Sequence, residues 1–353
     1  MPDESPETGI PAQRPDAGSM ARANCDLKVN LMPQPPVPVF VLGNGRSGTT
    51  VTAALLNQLP GVHIAKETGF LATSLGMLKA IDQPSTLRRL LNHVNPWLEL
   101  NAWEHRADER GYRAFCEQSG CTEPEAFLQY VWSLDCPQPW NELRFLGDNT
   151  PFYVLCIPEI LQLLPNARFV HMLRDPRDVV CSMLKMRFGA DDPLVAAMEW
   201  QLVFGTWLMA ERLLAADQRT EVRYEDLCTS PDQTFARLAA FLGYSEAEAS
   251  EALQHHSGGS TRGRSGFEQV SRMSHHTRIN EPLSPTRVGR FRKELSPGQI
   301  RAVEEMTQTG MAACGYTFEE WHIHPLIHED RARILRSQLK DFARRCLKRL
   351  MGR

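Results

Sequence analysis

A glycine-rich stretch at residues 43–50 could bind a phosphate or a sulfate group. Its glycines are Gly43, Gly45 and Gly48, and one cation, Arg46, lies among them. Glycine lets the backbone approach a ligand closely, and free N–H groups at the start of a helix attract anions. An apolar run precedes the stretch, and apolar residues at helical spacing follow it. The pattern therefore predicts a strand, an anion-binding loop and a helix.

This loop departs from the two common nucleotide-binding patterns. In the pattern G-x-x-x-x-G-K-S/T, Gly43 and Gly48 have the required spacing, but Thr49 occupies the lysine position. The dinucleotide pattern G-x-G-x-x-G is formally present, yet only Glu67 could be the acidic residue that should follow about twenty residues on. A glycine-rich loop by itself is also compatible with a simple tight turn.

Residues 168–183 repeat the arrangement of strand, cation and helix. Arg174 ends an apolar run, Asp175 and Pro176 begin a helix, and Ser182 lies two turns into it. With both segments in view, the chain resembles the sulfotransferases that use 3′-phosphoadenosine-5′-phosphosulfate (PAPS). Their signatures are a loop ending R/K-S-G-T-T and an R-D-x-x-x-x-x-x-S unit. Both occur here in the same order, each after a predicted strand.

The resemblance implies a fold and a set of ligand contacts. The implied fold class is α/β, a single P-loop-like domain related to the nucleotide kinases, with a central parallel sheet flanked by helices and a helical insert. Arg174 and Ser182 would bind the 3′-phosphate of PAPS. No metal is needed, and the spacing of His, Asp and Glu suggests none. The residues expected to hold the 5′-phosphosulfate are Arg46, Ser47, Gly48, Thr49 and Thr50.

Glu67 is the candidate catalytic base. It ends a short predicted strand that begins at Val62, and in open α/β sheets ligands bind beyond the carboxyl ends of the strands. In the tyrosylprotein branch of the family, which residues 59–62 also resemble, a Glu at this place removes the proton from the acceptor hydroxyl. The alternative is a solvated Glu at the end of a strand, and His63 is the next candidate for the base.

Three further positions match the family less closely. Asn149 occupies the lysine position of the family's K-T-P or K-D-P turn, so a second cation is missing there. The Asn149 amide could donate a hydrogen bond to a sulfuryl oxygen. The alternative is that Asn149 is only a turn residue. Tyr224, in a V-x-Y-E-D-L unit, is expected near the adenosine and is otherwise a core residue. Arg290 is favoured over Arg287 and Arg292 as the late basic residue that closes over the 5′ side of PAPS.

The chain divides by composition into an arm, a domain and a tail. Residues 1–36 are Pro-rich without periodicity, which predicts a disordered N-terminal arm. The sulfotransferase domain would span 37–320, with a helical insert at 70–143 whose tryptophans either line the acceptor pocket or belong to the core. Residues 321–353 predict a basic amphipathic helix, which suits a membrane surface, a partner groove or its own domain.

Beyond the second motif, one buried helix face is predicted at Val195, Met198, Leu202 and Trp207.

Composition narrows the class of protein further. A chain of 353 residues with 42% hydrophobic residues can bury a full core, and a net charge of −3 gives no indication of a nucleic-acid partner. No apolar run approaches the length of a membrane span, and the N-terminus lacks a signal pattern. We therefore expect a cytoplasmic enzyme, with peripheral membrane contact open through the C-terminal helix. Nine cysteines without C-x-x-C pairs are expected to be reduced thiols.

The sequence thus predicts in-line transfer of a sulfuryl group from PAPS to an acceptor hydroxyl or amine, with Glu67 as the base. A P-loop kinase is one alternative, although it would need a lysine in place of Thr49. A non-catalytic protein of the same fold that binds adenosine 3′,5′-bisphosphate (PAP) is the other. The acceptor stays open between a carbohydrate, a phenol or other small molecule, a peptidyl tyrosine and a lipid headgroup, because residues 70–143 match no family signature.

Overall fold

The computed structural model describes residues 34–121, 123–186, 190–257 and 283–319. The arm predicted at 1–36 lies outside these ranges except for its last three residues, and the helix predicted at 321–353 lies wholly outside them. In the ranges described, no helix combines the length and the apolar character needed to cross a bilayer.

A parallel β-sheet forms the centre of the fold. Every neighbouring pair of strands is parallel, and the strand order is β2-β3-β1-β4-β5, which makes the first strand the central one. The strands are β1 (Val37–Gly43), β2 (Val62–Ala65), β3 (Phe145–Asp148), β4 (Arg168–Leu173) and β5 (Arg219–Arg223). The predicted α/β class with a central parallel sheet is confirmed.

The central strand β1 is buried on both faces, as is usual in a parallel sheet covered by helices. Successive side chains point to opposite faces, so Phe40 and Leu42 enter one core region while Val39 and Val41 enter the other. The ring of Phe40 packs edge-on against Trp132, with 5.5 Å between ring centroids. This burial fixes the strand from which the glycine-rich loop emerges.

Helices pack against both core regions. The α-helices are α1 (Thr49–Leu56), α2 (Leu71–Leu78), α3 (Pro84–Leu100), α4 (Glu109–Ser119), α5 (Glu123–Ser133), α6 (Ile157–Leu163), α7 (Pro176–Met183), α8 (Pro193–Ala210), α9 (Tyr224–Thr229), α10 (Pro231–Phe241), α11 (Glu246–Ser257), α12 (Phe291–Glu294) and α13 (Pro297–Ala313). Short 3₁₀ segments are Trp140–Glu142, Pro151–Cys156, Glu211–Leu213, Ala216–Gln218 and Pro285–Arg287.

Helices α2 to α5 occupy the segment between β2 and β3 that was expected to be a helical insert. They share one hydrophobic core with the sheet. Trp103 and Trp132 are buried in it, whereas Trp97 and Trp140 are only partly buried. The first two tryptophans are therefore core residues, which was the plainer of the two expectations for them.

The predicted buried face of α8 was partly wrong. Val195 and Trp207 are buried, but Met198 is 36% exposed and Leu202 is 53% exposed. The core side of the helix instead follows Ala196, Trp200, Val203, Trp207 and Ala210. Because α8 is apolar on nearly all sides, two different stripes fit a helical period, and the sequence does not distinguish between them.

Candidate active site

The strand order brings the predicted site residues to one edge of the sheet. The residues that follow the carboxyl ends of the strands line up in the order of the strands themselves. From β2 to β5 they are Glu67, Asn149, the loop at 44–48, Arg174 and Tyr224. The candidate base and the candidate 3′-phosphate ligand therefore lie on opposite sides of the glycine-rich loop.

The loop has a backbone that requires glycine at two places. Gly43 and Gly48 have φ of 142° and 96°. A Cβ atom at Gly43 would lie 2.5 Å from the Met172 carbonyl oxygen, and one at Gly48 would lie 2.4 Å from the Tyr224 ring. Helix α1 begins directly after the loop, and the first N–H groups of a helix have no acceptor within it. The loop is thus shaped to present N–H groups to an anion.

Two guanidinium groups and a serine meet at this loop. Arg174 donates from Nη1 to the Arg46 carbonyl oxygen at 2.9 Å, and Arg46 donates from Nε to Ser182 Oγ at 3.2 Å. Burial and the charge of Arg174 lower the pKa of Arg46, while Glu67 acts in the opposite direction. Two cations held this close disfavour each other's charged form unless an anion lies between them. The structure thus brings three of the predicted ligands together around an anion site.

Buried polar atoms without a partner cluster at the same edge. Within the described ranges, Ser47 Oγ, Arg174 Nε and both amide atoms of Asn149 have no hydrogen-bond partner. All three residues are buried. Buried polar groups in native proteins are nearly always hydrogen-bonded, so such a cluster fits a site whose partners come from a ligand. Its composition, with donors from a hydroxyl, a guanidinium and an amide, suits phosphate and sulfate oxygens.

Tyr224 closes the far side of the loop. The Arg174 guanidinium lies over its ring, 4.3 Å from the centroid, and the ring packs on Gly48. Arg174 also donates to the carbonyl oxygen of Arg287 at 3.1 Å, and the Arg287 side chain is hydrogen-bonded to Tyr224. Arg290 is not drawn into this group; among the described residues its guanidinium bonds Glu294 at 2.6 Å. Of the late basic residues, the structure thus brings Arg287 rather than Arg290 beside Arg174 and Tyr224.

Asp178 was not singled out from the sequence, although it fixes one wall of the site. Its carboxylate accepts hydrogen bonds from the N–H groups of Gly289 at 2.7 Å and Phe291 at 2.9 Å. These bonds anchor the segment that contains Arg287 to the start of α7, next to Arg174. No local pattern indicates this role, because Asp178 and its partners are more than a hundred residues apart.

Glu67 lies two residues beyond the end of β2, in a turn that the insert supports. The Trp103 indole donates to the Glu67 carbonyl oxygen at 3.2 Å, and the ring of Trp97 packs directly on Gly69. Burial raises the pKa of Glu67 to about 7, the negative charge of Asp148 adds to this rise, and Arg46 opposes it. A carboxylate with this pKa is a stronger base than an ordinary Glu.

His63 is poorly suited to act as the base. It lies within β2 rather than at its end, and its side chain is buried. Burial, with the nearby charge of Lys66, lowers its pKa to about 3, so it accepts a proton only weakly at neutral pH. Of the two sequence candidates for the base, only Glu67 lies at the sheet edge that carries the anion loop.

The candidate site combines donors for an anion with a nearby carboxylate, Glu67. In the part of the chain that the structure describes, no group of three or more His, Cys, Asp or Glu side chains is arranged to hold a metal ion. The cysteines of the same ranges are free thiols. A loop with two guanidinium groups, buried donors without a partner in these ranges and a carboxylate of raised pKa therefore lie at one edge of the sheet.

Comparison with known proteins identifies the family. The sequence model described as "Sulfotransferase family" matches residues 38–248, and the chain belongs to the sulfotransferase family. The family and the enzyme class predicted from the motifs are thereby confirmed, and sulfuryl transfer is the general reaction. Protein-tyrosine sulfotransferase 1 of Danio rerio is 25% identical over 255 residues, and protein-tyrosine sulfotransferase 2 of Gallus gallus is 22% identical over 316 residues. These relatives support the tyrosylprotein branch named from the sequence.

The coverage of these matches differs. The alignment spans 71% of this chain but 63% of the Danio rerio protein, less than two thirds of its length; for the Gallus gallus protein the shares are 86% and 76%. Among solved structures, the sulfotransferase domain from the curacin biosynthetic pathway gives a TM-score of 0.51 at 18% identity and covers 81% of this chain and all of that domain. The sulfotransferase domain of the Synechococcus PCC 7002 olefin synthase gives 0.50 at 20% identity, covering 81% and 97%. At this identity the structures support the fold alone.

Proposed function

We propose that this enzyme transfers the sulfuryl group of PAPS to a hydroxyl acceptor. The observation that carries the proposal is the convergence of Arg46, Arg174 and Ser182 on one loop. PAPS supplies an activated sulfuryl group on a phosphate together with a separate 3′-phosphate. The chain offers cationic and hydroxyl ligands for both groups.

The residues at the site fit such a donor on chemical grounds. Ser47 Oγ and the α1 N–H groups would bind the phosphosulfate, and Arg46 would balance the charge that builds on its oxygens during transfer. Arg174, whose Nε has no partner among the described residues, and Ser182 would bind the 3′-phosphate. A 3′-phosphate ligand favours PAPS over ATP, which carries no phosphate there. Tyr224 and Arg287 would flank the nucleoside.

Glu67 acts as the base in this proposal. Its carboxylate takes the proton of the acceptor hydroxyl as the acceptor oxygen bonds to sulfur. The bond between sulfur and the phosphate oxygen breaks, and its electron pair leaves with the phosphate of PAP. Arg46, beside Glu67, stabilises the charge that develops on the leaving oxygen and on the sulfuryl oxygens.

The pKa of Glu67 predicts the pH dependence of the reaction. Only the ionised carboxylate can accept a proton, so kcat/KM should fall as the pH drops through the pKa of about 7. Below pH 6 the decline should approach tenfold per pH unit. The measurement is a pH profile of kcat/KM with an acceptor that does not titrate between pH 5 and 8. A profile that is flat from pH 5 to 8 would contradict the assignment of Glu67.

A tyrosyl hydroxyl in a peptide or protein is the acceptor we propose. The proposal rests on two relatives that are named protein-tyrosine sulfotransferases. In the structure, the partly buried aromatic ring of Trp97 packs beside the Glu67 turn, where it could contact a phenolic ring. Tyrosine-containing peptides are the first acceptors to test, with small phenols and glycans as the comparison set.

Ligand-induced thermal stabilisation tests the donor. PAP should raise the unfolding temperature more than ATP with Mg²⁺ or 5′-AMP at the same concentration, because a ligand specific for the folded state stabilises it by RT ln(1 + [L]/Kd). Arg174→Met should weaken PAP roughly 10- to 100-fold, since a hydrogen bond to a charged group contributes about 1.5–3 kcal/mol. Isothermal titration of PAP into each variant gives the affinities.

The exposed Arg113, which pairs with Glu109 on the surface of α4, provides the matched control. Arg113→Met removes the same functional group and should leave PAP binding unchanged. Stabilisation by ATP with Mg²⁺ in place of PAP would favour the kinase alternative. Binding of PAP without any turnover of PAPS, across the acceptor set, would favour the non-catalytic alternative.

A further inference from the structure

Asp148 is a fully buried carboxylate that the transfer mechanism above does not use. It ends β3 and is 0% exposed. Its oxygens accept hydrogen bonds from the Thr150 N–H at 2.6 Å, from the Trp132 indole at 3.1 Å and from the Thr68 hydroxyl. Three donors favour the ionised form, whereas burial disfavours it and raises the pKa to about 6. The three donors support an ionised carboxylate at this buried position.

The same group of residues holds the turn that contains Glu67. Thr150 Oγ1 accepts from the N–H groups of Thr68 at 3.0 Å and Gly69 at 3.2 Å. The Thr68 hydroxyl, besides bonding Asp148, lies 2.7 Å from the Tyr153 hydroxyl. The residues directly after Glu67 are thus bonded to the segment that begins with Asp148. Since β2 and β3 are neighbours and Ala65 pairs with Asp148, the bonds link adjacent strand ends.

The charged groups around Glu67 act on it in opposite directions. Asp148, from β3, disfavours ionisation of Glu67, while Arg46, from the loop after β1, favours it. Lys66, the preceding residue, is directed to other partners; its ammonium bonds the Ala102 carbonyl oxygen at 3.0 Å and lies 3.5 Å from Asp135. The charge of Asp148 therefore counteracts the effect of Arg46 on the pKa of Glu67.

We propose that Asp148 is a positioning residue for sulfuryl transfer: through Thr68 and Thr150 it holds the turn that contains Glu67, and it places a carboxylate at the neighbouring strand end. The proposal rests on the role of Glu67 as the base. Removing the charge but not the shape of Asp148 should leave Glu67 next to Arg46 alone. Glu67 would then ionise at lower pH and be a weaker base.

Asp148→Asn tests the charge. The acid limb of the kcat/KM profile should move down by about one pH unit, and the rate on the plateau should fall about tenfold. A purely structural role for Asp148 would lower the rate without moving the limb. Thermal stabilisation by PAP shows that each variant retains the folded cofactor site.

Two companion variants separate charge from packing. In Asp148→Asn the new amide would face the N–H of Trp132, so the double variant with Trp132→Phe removes that conflict between donors. The acid limb of the kcat/KM profile of this double variant should be displaced in the same way. The double variant replaces Asp148→Asn in the experiment if the single variant folds poorly. Thr68→Val removes one of the three donors to Asp148 but leaves the backbone bonds from residues 68 and 69 to Thr150 Oγ1. It should lower kcat and move the limb in the same direction as Asp148→Asn but by less, because the other two donors still favour the ionised carboxylate.

The outcomes discriminate between this inference and the proposed function. If Glu67→Gln remains active, or the wild-type profile has no limb near pH 7, the base assignment itself fails. Suppose instead that Glu67→Gln is inactive and the wild-type profile has its limb near pH 7. If the limb then stays in place in Asp148 variants that bind PAP, only the role of Asp148 is overturned. A limb displaced to lower pH in both Asp148 variants supports it.

Discussion

Replacing Glu67 by Gln should reduce kcat about 10³-fold, because general base catalysis typically contributes between 10² and 10⁴ to the rate. Gln has nearly the shape of Glu, so the bond from Trp103 to the backbone carbonyl of residue 67 should persist. The amide cannot accept the acceptor proton. The raised pKa of Glu67 reflects the cost of a buried carboxylate near Asp148, and the neutral side chain should therefore not destabilise the fold. Single-turnover rates with preloaded PAPS measure the chemical step directly.

The control for Glu67→Gln is PAP affinity, which should match that of the wild type. A comparison variant is Glu109→Gln on the exposed surface of α4, which should retain full activity. Near-normal turnover by Glu67→Gln would contradict the proposed mechanism. His63 would then be tested as His63→Gln, although its burial and lowered pKa make a base role at neutral pH difficult.

The parts of the site that the sequence predicted are those whose signals are local. The glycine spacing of residues 43–48 and the Asp175-Pro176 start of α7 specify a loop and a helix within a few residues. Each follows a short apolar strand, and parallel strands place their carboxyl ends at one edge. The order of these segments along that edge depends on strand pairing, which the chain pattern did not specify.

The parts that the sequence did not predict depend on distant partners. Asp148 is bonded to Thr68 and Trp132, which lie 80 and 16 residues away, and nothing in the local pattern pairs them. Arg290 and Arg287 are equally basic in sequence, but Glu294 lies one helical turn after Arg290 and binds it. The exposed stripe of α8 was misassigned for the same reason, since packing against α13 rather than helical period decides which side is buried.

Replacing Arg46 by Ala is the second substitution with a large expected effect. Arg46 borders both Glu67 and Arg174, so its charge lies where the transferred group would pass between base and donor. Asn149 stands where the turn that this segment resembles has a lysine, so no second cation is expected at that position. Loss of one electrostatic donor of this kind lowers kcat by about 10²–10³. The measurement is kcat and KM for PAPS at saturating acceptor, with PAP affinity measured in parallel.

The backbone at Arg46 supplies a matched control for this variant. Its φ of 71° is in the left-handed region, which strains Ala as well as Arg and which Gly adopts without cost. Arg46→Gly should therefore be more stable to heat than Arg46→Ala yet equally slow. Equal loss of kcat in both variants would assign the effect to the guanidinium rather than to the loop conformation. If KM for PAPS rises while kcat stays at the wild-type level, Arg46 binds the ground state only, and charge stabilisation in the transition state must come from the loop N–H groups.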